Sequence, residues 1–438
     1  MKFAMFRSLF CTLPLVALLL SGCPSMPVEP DPIEAVSVPE LEMVRPPYTL
    51  DTGVSFVSIS EDGNTFLSWG NHNGVILFHQ SDYSTIERFY ERDMSNLKYE
   101  RDTGTPTGYI QNAGFFDKNT WYFGVIPRDK NEPRKPYPDE HIDIHVRSIQ
   151  PSREIAKYSF SWGGGDKLIA NKNHFVVIRE SAVNETVMLV DWRTDAHHSI
   201  IMPPYLYESG FMWSRRYDNP LTLVDSGRVL AKDIYKNGYH WFLFDPFTQQ
   251  KHLFDPSTDQ KGKLERDAII SPSERYVVDL GESRCKLRKF PAHETVHLKD
   301  QEIIGFCSDK FSKIGRWENL IAFFSPDEKF FVIAFRRNIR VYRTEPFQLE
   351  FEGNAPGKIW EAKLSENGLL ATSNGKGFVR VWDIRTKQAV GQHRFFDPGN
   401  EEREFSSSLI FHPDGNRLFV VAGGNNLYAF QLPKRGTE

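Results

Sequence analysis

A strand–turn–strand unit recurs along this chain and limits the folds open to it. In the clearest copy, Ile359-Trp360-Glu361-Ala362-Lys363-Leu364-Ser365 runs into the turn Glu366-Asn367-Gly368. Leu369-Leu370-Ala371-Thr372-Ser373 follows, then Phe378-Val379-Arg380-Val381-Trp382-Asp383, and Arg385-Thr386-Lys387 leads into a fourth strand. Leu320–Phe351 repeats the layout with Phe324-Ser325-Pro326-Asp327, Phe330–Phe335 and Ile339-Arg340-Val341-Tyr342. Ser407–Leu432 repeats it with Phe411-His412-Pro413-Asp414-Gly415, and Val54–Phe89 with Ser60-Glu61-Asp62-Gly63. Apolar residues alternate or form short runs, and Asp-Gly, Asn-Gly and Pro-Asp steps break them, as expected of strands joined by tight turns. From about residue 48 onward no stretch has a convincing helical period.

More degenerate units are placed near 109–160, 166–201, 221–254 and 267–298. Their third strands would contain Ile142–Val146, Val187–Trp192, His240–Phe244 and Leu287–Phe290. This makes eight units over about 385 residues, near the spacing of roughly 40–45 residues per blade once loop insertions are allowed. The unit from Lys358, with its Trp382-Asp383 pair, closely resembles one repeat of the WD40 β-propeller family. That pair occurs in this unit alone, and the Gly-His dipeptide of typical repeats is absent. The resemblance implies an all-β fold: a single β-propeller of about eight four-stranded blades over 48–433, or seven if two weak middle units merge, with 434–438 as a tail. The last unit supplies three strands. Its fourth is expected from the segment near Tyr48-Thr49-Leu50, which would close the ring and cover its sheet edges.

The N-terminal segment has a different character. Lys2 and Arg7 precede an apolar run from Leu9 to Leu20, too short to span a bilayer and long enough for a secretory leader. It ends Leu20-Ser21-Gly22-Cys23 and resembles the lipobox of bacterial lipoproteins. The resemblance implies a signal peptide over 1–22, cleavage before Cys23, lipidation of that residue, and a protein facing the periplasm from a membrane the sequence does not specify. Lipoproteins of this type carry several acyl chains, each CH₂ contributing roughly 0.8 kcal/mol when buried, so the anchor needs no transmembrane helix. Residues 23–47, with seven prolines and five acidic residues between Pro24 and Pro47, read as an extended tether of roughly 3.1 Å per residue, the other reading being that part of the stretch packs along the domain edge. Removing 1–22 takes the net charge from −4 to −6, which argues against nonspecific nucleic-acid binding.

Candidate chemistry is sparse. Of four cysteines, Cys285 and Cys307 lie in the body, where an oxidising compartment permits a disulfide closing a loop of about 22 residues, worth roughly 3 kcal/mol, or leaves two separate buried thiols. His141, Asp143 and His145 alternate and would share one strand face, a pattern that suits a metal and equally a solvent-facing strand beside a charged loop; the second reading is the one adopted. Arg336, Arg337, Arg340 and Arg343 make a basic hairpin, suited to an acidic partner and more simply read as a solvated face. Gly163-Gly164-Gly165 lacks the Lys-Ser/Thr pair of a phosphate loop, and no motif requires a metal, a cofactor or a nucleophile.

The stretch Met202–Pro220 stands out. It holds Tyr205, Tyr207, Phe211, Trp213, Arg215, Arg216 and Tyr217, residue types that dominate interface energies, and it lies between units. The resemblance places it on the same face as the charged insertion Pro127–Glu140. This face is expected to bind envelope proteins, making the chain a non-catalytic scaffold; the alternative for the aromatics is to plug the channel or pad a junction. The other function classes left open are a propeller hydrolase or lyase acting on an envelope polymer, and a sensor of a small ligand or sugar.

Overall fold

The computed structural model describes residues 38–50, 56–70, 74–89, 108–127, 141–161, 167–171, 173–180, 185–202, 222–235, 238–248, 250–254, 267–280, 285–289, 295–296, 320–374, 377–395, 408–422 and 426–433. Among them there is no helix, and the strands form eight four-stranded antiparallel sheets. Seven are consecutive in sequence, spanning 56–89, 108–161, 167–202, 222–254, 267–296, 320–354 and 359–394. The eighth takes three strands from 408–431 and its outermost from Glu42–Thr49, which pairs antiparallel with Asn426–Gln431. Among the described residues the sheets therefore number eight and not seven. The third strands of the degenerate units are His141–Ser148, Glu185–Asp191, Gly238–Asp245 and Cys285–Lys289.

The first strands touch from the first sheet to the fourth and from the fifth to the eighth, and the first strand of the eighth touches that of the first. The fourth and fifth sheets meet where the Asp225 amide donates to the Pro272 carbonyl at 3.1 Å. The sheets thus run in a complete circuit, the arrangement of a β-propeller. Each described apolar cluster joins two neighbouring sheets. Phe66, Ile76 and Phe78 of the first pack with Phe419, Val421 and Leu427 of the eighth. Ile142, Ile144 and Val146 of the second pack with Phe175, Val177 and Val190 of the third. Val332, Ile339 and Val341 of the sixth pack with Ile359, Leu370 and Trp382 of the seventh. The aromatic near the end of the third strand enters these seams. Phe78, Tyr342 and Trp382 are all buried, and each lies beside a register shift against the fourth strand. The Trp382 indole N–H donates to Thr372 Oγ1 at 3.4 Å, and Asp383 accepts the Arg385 amide at 2.9 Å to cap the next turn. The Trp-Asp pair is thus one core residue and one turn residue.

The folded body begins earlier than its composition suggested. Residues 38–47, read as the end of a tether over 23–47, belong to it. The Pro39 carbonyl accepts from Gln392 at 2.9 Å and the Leu41 amide donates to the Gln392 carbonyl at 2.7 Å, along the outer edge of the seventh sheet. The Leu41 side chain is 5 % exposed and lies over Gly391, where any Cβ would overlap it. Glu40 pairs with His393 at 2.5 Å. Farther along, Arg45 lies 3.6 Å over the Tyr83 ring and donates to the Ser81 and Gln80 carbonyls of the first sheet. One short segment therefore engages the seventh, eighth and first sheets, and proline suits it because an outermost strand has an unpaired edge.

Truncating Leu41 to alanine should lower unfolding stability by about 2–4 kcal/mol. The same change at Val44, which is 49 % exposed in the strand that follows, should cost less than about 0.5 kcal/mol, and denaturant titration separates the two.

Candidate interaction face

Antiparallel order sorts the strand ends onto two faces. On one lie the turns between first and second strands. Ser60, Ser271, Ser325 and Ser365 end first strands in buried positions. Each hydroxyl accepts the amide that opens the second strand, from Thr65, Tyr276, Phe330 and Leu369, at 3.0–3.1 Å. Successive turns are bridged. Asn171 donates to the Val224 carbonyl at 2.6 Å, Glu274 accepts from Ser226 and pairs with Arg228, and Glu328 accepts from the Ser273 amide and hydroxyl. Asn367 lies against Gly415, and the His412 ring against Gly63, which has φ +77°. Glu274 and Glu328 occupy the same left-handed conformation at φ 63° and 56°. That conformation costs a side chain about 1 kcal/mol or more, and the bridges to the preceding turn hold both in place.

The opposite face receives the connections between second and third strands and between one sheet and the next. The strand ends that flank 128–140, Thr120–Pro127 and His141–Ser148, lie there. So do those flanking 203–221, Ala196–Met202 and Thr222–Leu223. Tyr205, Tyr207, Phe211, Trp213, Arg215, Arg216 and Tyr217 lie outside the described residues, as do Cys23, Cys307 and 163–165. Cys285 is the first residue of its strand, and its side chain is outside the description.

At the inner rim of this face, two described positions expose aromatic surface. Phe56 opens the first strand of the first sheet, 47 % exposed and stacked on Trp69 at 5.4 Å. Trp360 is 39 % exposed near the start of the seventh sheet's first strand. Beside it, Glu361 Oε2 accepts the Leu409 amide of the eighth sheet at 3.1 Å. Burial pushes the Glu361 carboxyl up to about 7, against smaller opposing effects of Lys363 and the Leu409 amide. Neither residue stands out in the sequence, because Trp360 and Glu361 fit an ordinary alternating strand. The register shift that sets them apart is visible only in the pairing.

His141, Asp143 and His145 do share a face, but not a solvent-facing one throughout. The Asp143 and His145 side chains are 9 % and 12 % exposed, His141 53 %. Asp143 accepts from Ser159 at 2.6 Å and pairs with Lys157 at 2.9 Å. Burial raises its carboxyl, but these donors and the Lys157 charge outweigh that and hold it below the ordinary value. His145 bonds Glu154 at 2.6 Å and stacks on Phe123, and the next residue of the row, Arg147, reaches Glu87 of the first sheet at 2.6 Å. Among the described residues no group of three or more such ligands is arranged to hold a metal ion. The basic hairpin is also partly neutralised. Arg340 donates from Nε and Nη2 to one oxygen of Glu352 at 2.9 and 2.8 Å, Arg343 pairs with Glu350 at 3.0 Å, and the Arg336 and Arg337 carbonyls accept from Ile359 and Ala355.

No family model matches the chain. A stretch of 84 residues is 34 % identical to the ribosome biogenesis protein ERB1 of Eremothecium gossypii, covering 19 % of this chain and 10 % of that protein. Among solved structures, the C-terminal WD40 domain of Sif2 superposes with a TM-score of 0.55 at 10 % identity, covering 91 % of this chain and all of that one. The computationally designed Ika8 protein superposes with a TM-score of 0.54 at 13 % identity over 90 % of this chain and all of that one. The architecture is that of a WD40-like propeller.

The Glu361 carboxyl should appear in the pH dependence of stability. Its folded pKa lies above the unfolded value, so the folded state holds the proton more tightly; the stability this adds is complete below about 4.5 and lost as pH rises through about 7. Glu361→Gln should match the wild type at pH 4.5 and exceed it at pH 8 by up to about 3 kcal/mol, measured by urea unfolding at both pH values.

Proposed function

We propose that this chain is a non-catalytic interaction scaffold of the bacterial cell envelope, moored by lipid on Cys23, facing the periplasm, and recruiting envelope proteins through the face that receives 128–140 and 203–221. Fold alone does not give function. The observation that carries the reading is the sorting of strand ends. One face is made of short turns that satisfy one another, while the two most unusual insertions join strand ends on the other. A partner needs only about 800 Å² of such a surface, and Tyr, Trp and Arg at 205–217 are the side chains that supply most binding energy in interfaces of that size. The anchor rests on the basic, apolar, small-residue and cysteine order of residues 2–23. Residues 24–37 would remain as a leash of roughly 40 Å at about 3.1 Å per residue.

Replacing Tyr207, Trp213 and Arg216 together with alanine should abolish partner recovery after crosslinking in intact cells, with far-ultraviolet circular dichroism and melting temperature unchanged. Undiminished recovery overturns the scaffold surface. Cys23→Ser should release the protein from the membrane fraction, and a variant that stays membrane-bound overturns the lipid mooring.

A further inference from the structure

The first strand of the seventh sheet carries one residue more than its partner. Ile359 pairs with Asn374 and Glu361 with Ser373, which leaves Trp360 without an opposite number. Such a bulge re-aims side chains. Ile359, Ala362 and Leu364 all pack in the core shared with the sixth sheet, so Trp360 and Glu361 both turn away from it. Glu361 thereby reaches the Leu409 amide across the seam to the eighth sheet. Its second oxygen has Lys363 Nζ at 4.0 Å, beyond hydrogen-bond reach, and Trp360 keeps 39 % of its surface in solvent. The first strands Phe56–Ile59, Leu320–Phe324 and Ser408–Phe411 build their sheets with no carboxylate. An exposed indole beside a half-buried carboxyl, held by one amide and a distant lysine, is unusual in a first strand, and violations of this kind concentrate at functional sites.

We propose that Trp360 and Glu361 form a recognition point for one cationic side chain, lysine or arginine, of a partner protein. The inference rests on the scaffold reading and supplies the chemistry of one contact within it. An indole face attracts a cation, and the carboxyl completes the site by ionising. Its proton leaves to solvent as the ion pair forms, so binding is accompanied by proton release.

The test is titration calorimetry at pH 6.5, in two buffers of different ionisation enthalpy, with the full chain and acetyl-Gly-Arg-Gly-amide, its lysine analogue and its citrulline analogue. The arginine and lysine peptides should bind with release of more than half a proton, and the uncharged citrulline peptide at least tenfold more weakly. Trp360→Ala and Glu361→Gln should each weaken binding at least tenfold, and Trp360→Phe less. Glu361→Gln keeps an oxygen for Leu409 and so retains the fold while abolishing proton release. Equal binding of the citrulline peptide, unchanged affinity of Glu361→Gln, or no binding to the wild type overturns the inference. If the peptide fails while cellular crosslinking still recovers partners, the scaffold stands and this site falls. If the peptide binds with proton release and no partner is recovered, the site stands and the scaffold falls.

Discussion

Face-to-face packing of neighbouring sheets is the interaction on which the rest of this molecule depends. A four-stranded sheet has two apolar faces and cannot bury either alone. Here Phe419 and Val421 pack toward the first sheet while Leu418 and Val420, on the same strand, pack toward the seventh. Val332 and Ile333 of the sixth sheet divide in the same way between the seventh and the fifth. The alternation of a strand thus becomes apolar on both sides, and stability resides in the seams. It follows that no sheet can be terminal. An open array would leave one face of its first member and one of its last in water, and circular contact is the arrangement that removes both.

The same constraint separates the two faces. Where consecutive turns meet, space is short and is filled by side chains that serve the neighbouring turn. Glu328 holds Ser273, and His412 fills the space that Gly63 leaves open. Longer segments find room only at the other ends of the strands. Specialisation is therefore confined by packing to one side, where Trp360 and Phe56 present aromatic surface and where the Glu361 carboxyl retains its proton near neutrality.

Much of this was legible in the residues. Glu366-Asn367-Gly368 and Ser60-Glu61-Asp62-Gly63 are turns because Gly and Asp supply the backbone conformations and hydrogen bonds that turns need, and these are local properties. The four-strand rhythm follows from them. What depended on distant partners was harder to read. Leu41 sits in a proline-rich, acidic stretch whose composition suggests a tether, and only Gly391, about 350 residues away, explains its burial. The pairing of Arg340 with Glu352 and of Asp143 with Lys157 turns two charged rows into cross-strand ion pairs, which a one-strand reading cannot see. The bulge at Trp360 is a matter of register, and register belongs to two strands.

The closure of the eighth sheet also has a consequence in time. Glu42–Thr49 is separated from its partner, Asn426–Gln431, by roughly 380 residues. Loop closure over such a distance makes this pairing slow relative to the hairpins within each sheet, and until it forms the strand's hydrogen-bonding groups are unsatisfied. In that interval the seven other sheets can assemble only into an incomplete arc. Proline at 39, 46 and 47 makes the waiting segment a poor template for intermolecular pairing, so the residues that look least like a strand protect the folding chain from aggregation until the distant hairpin forms.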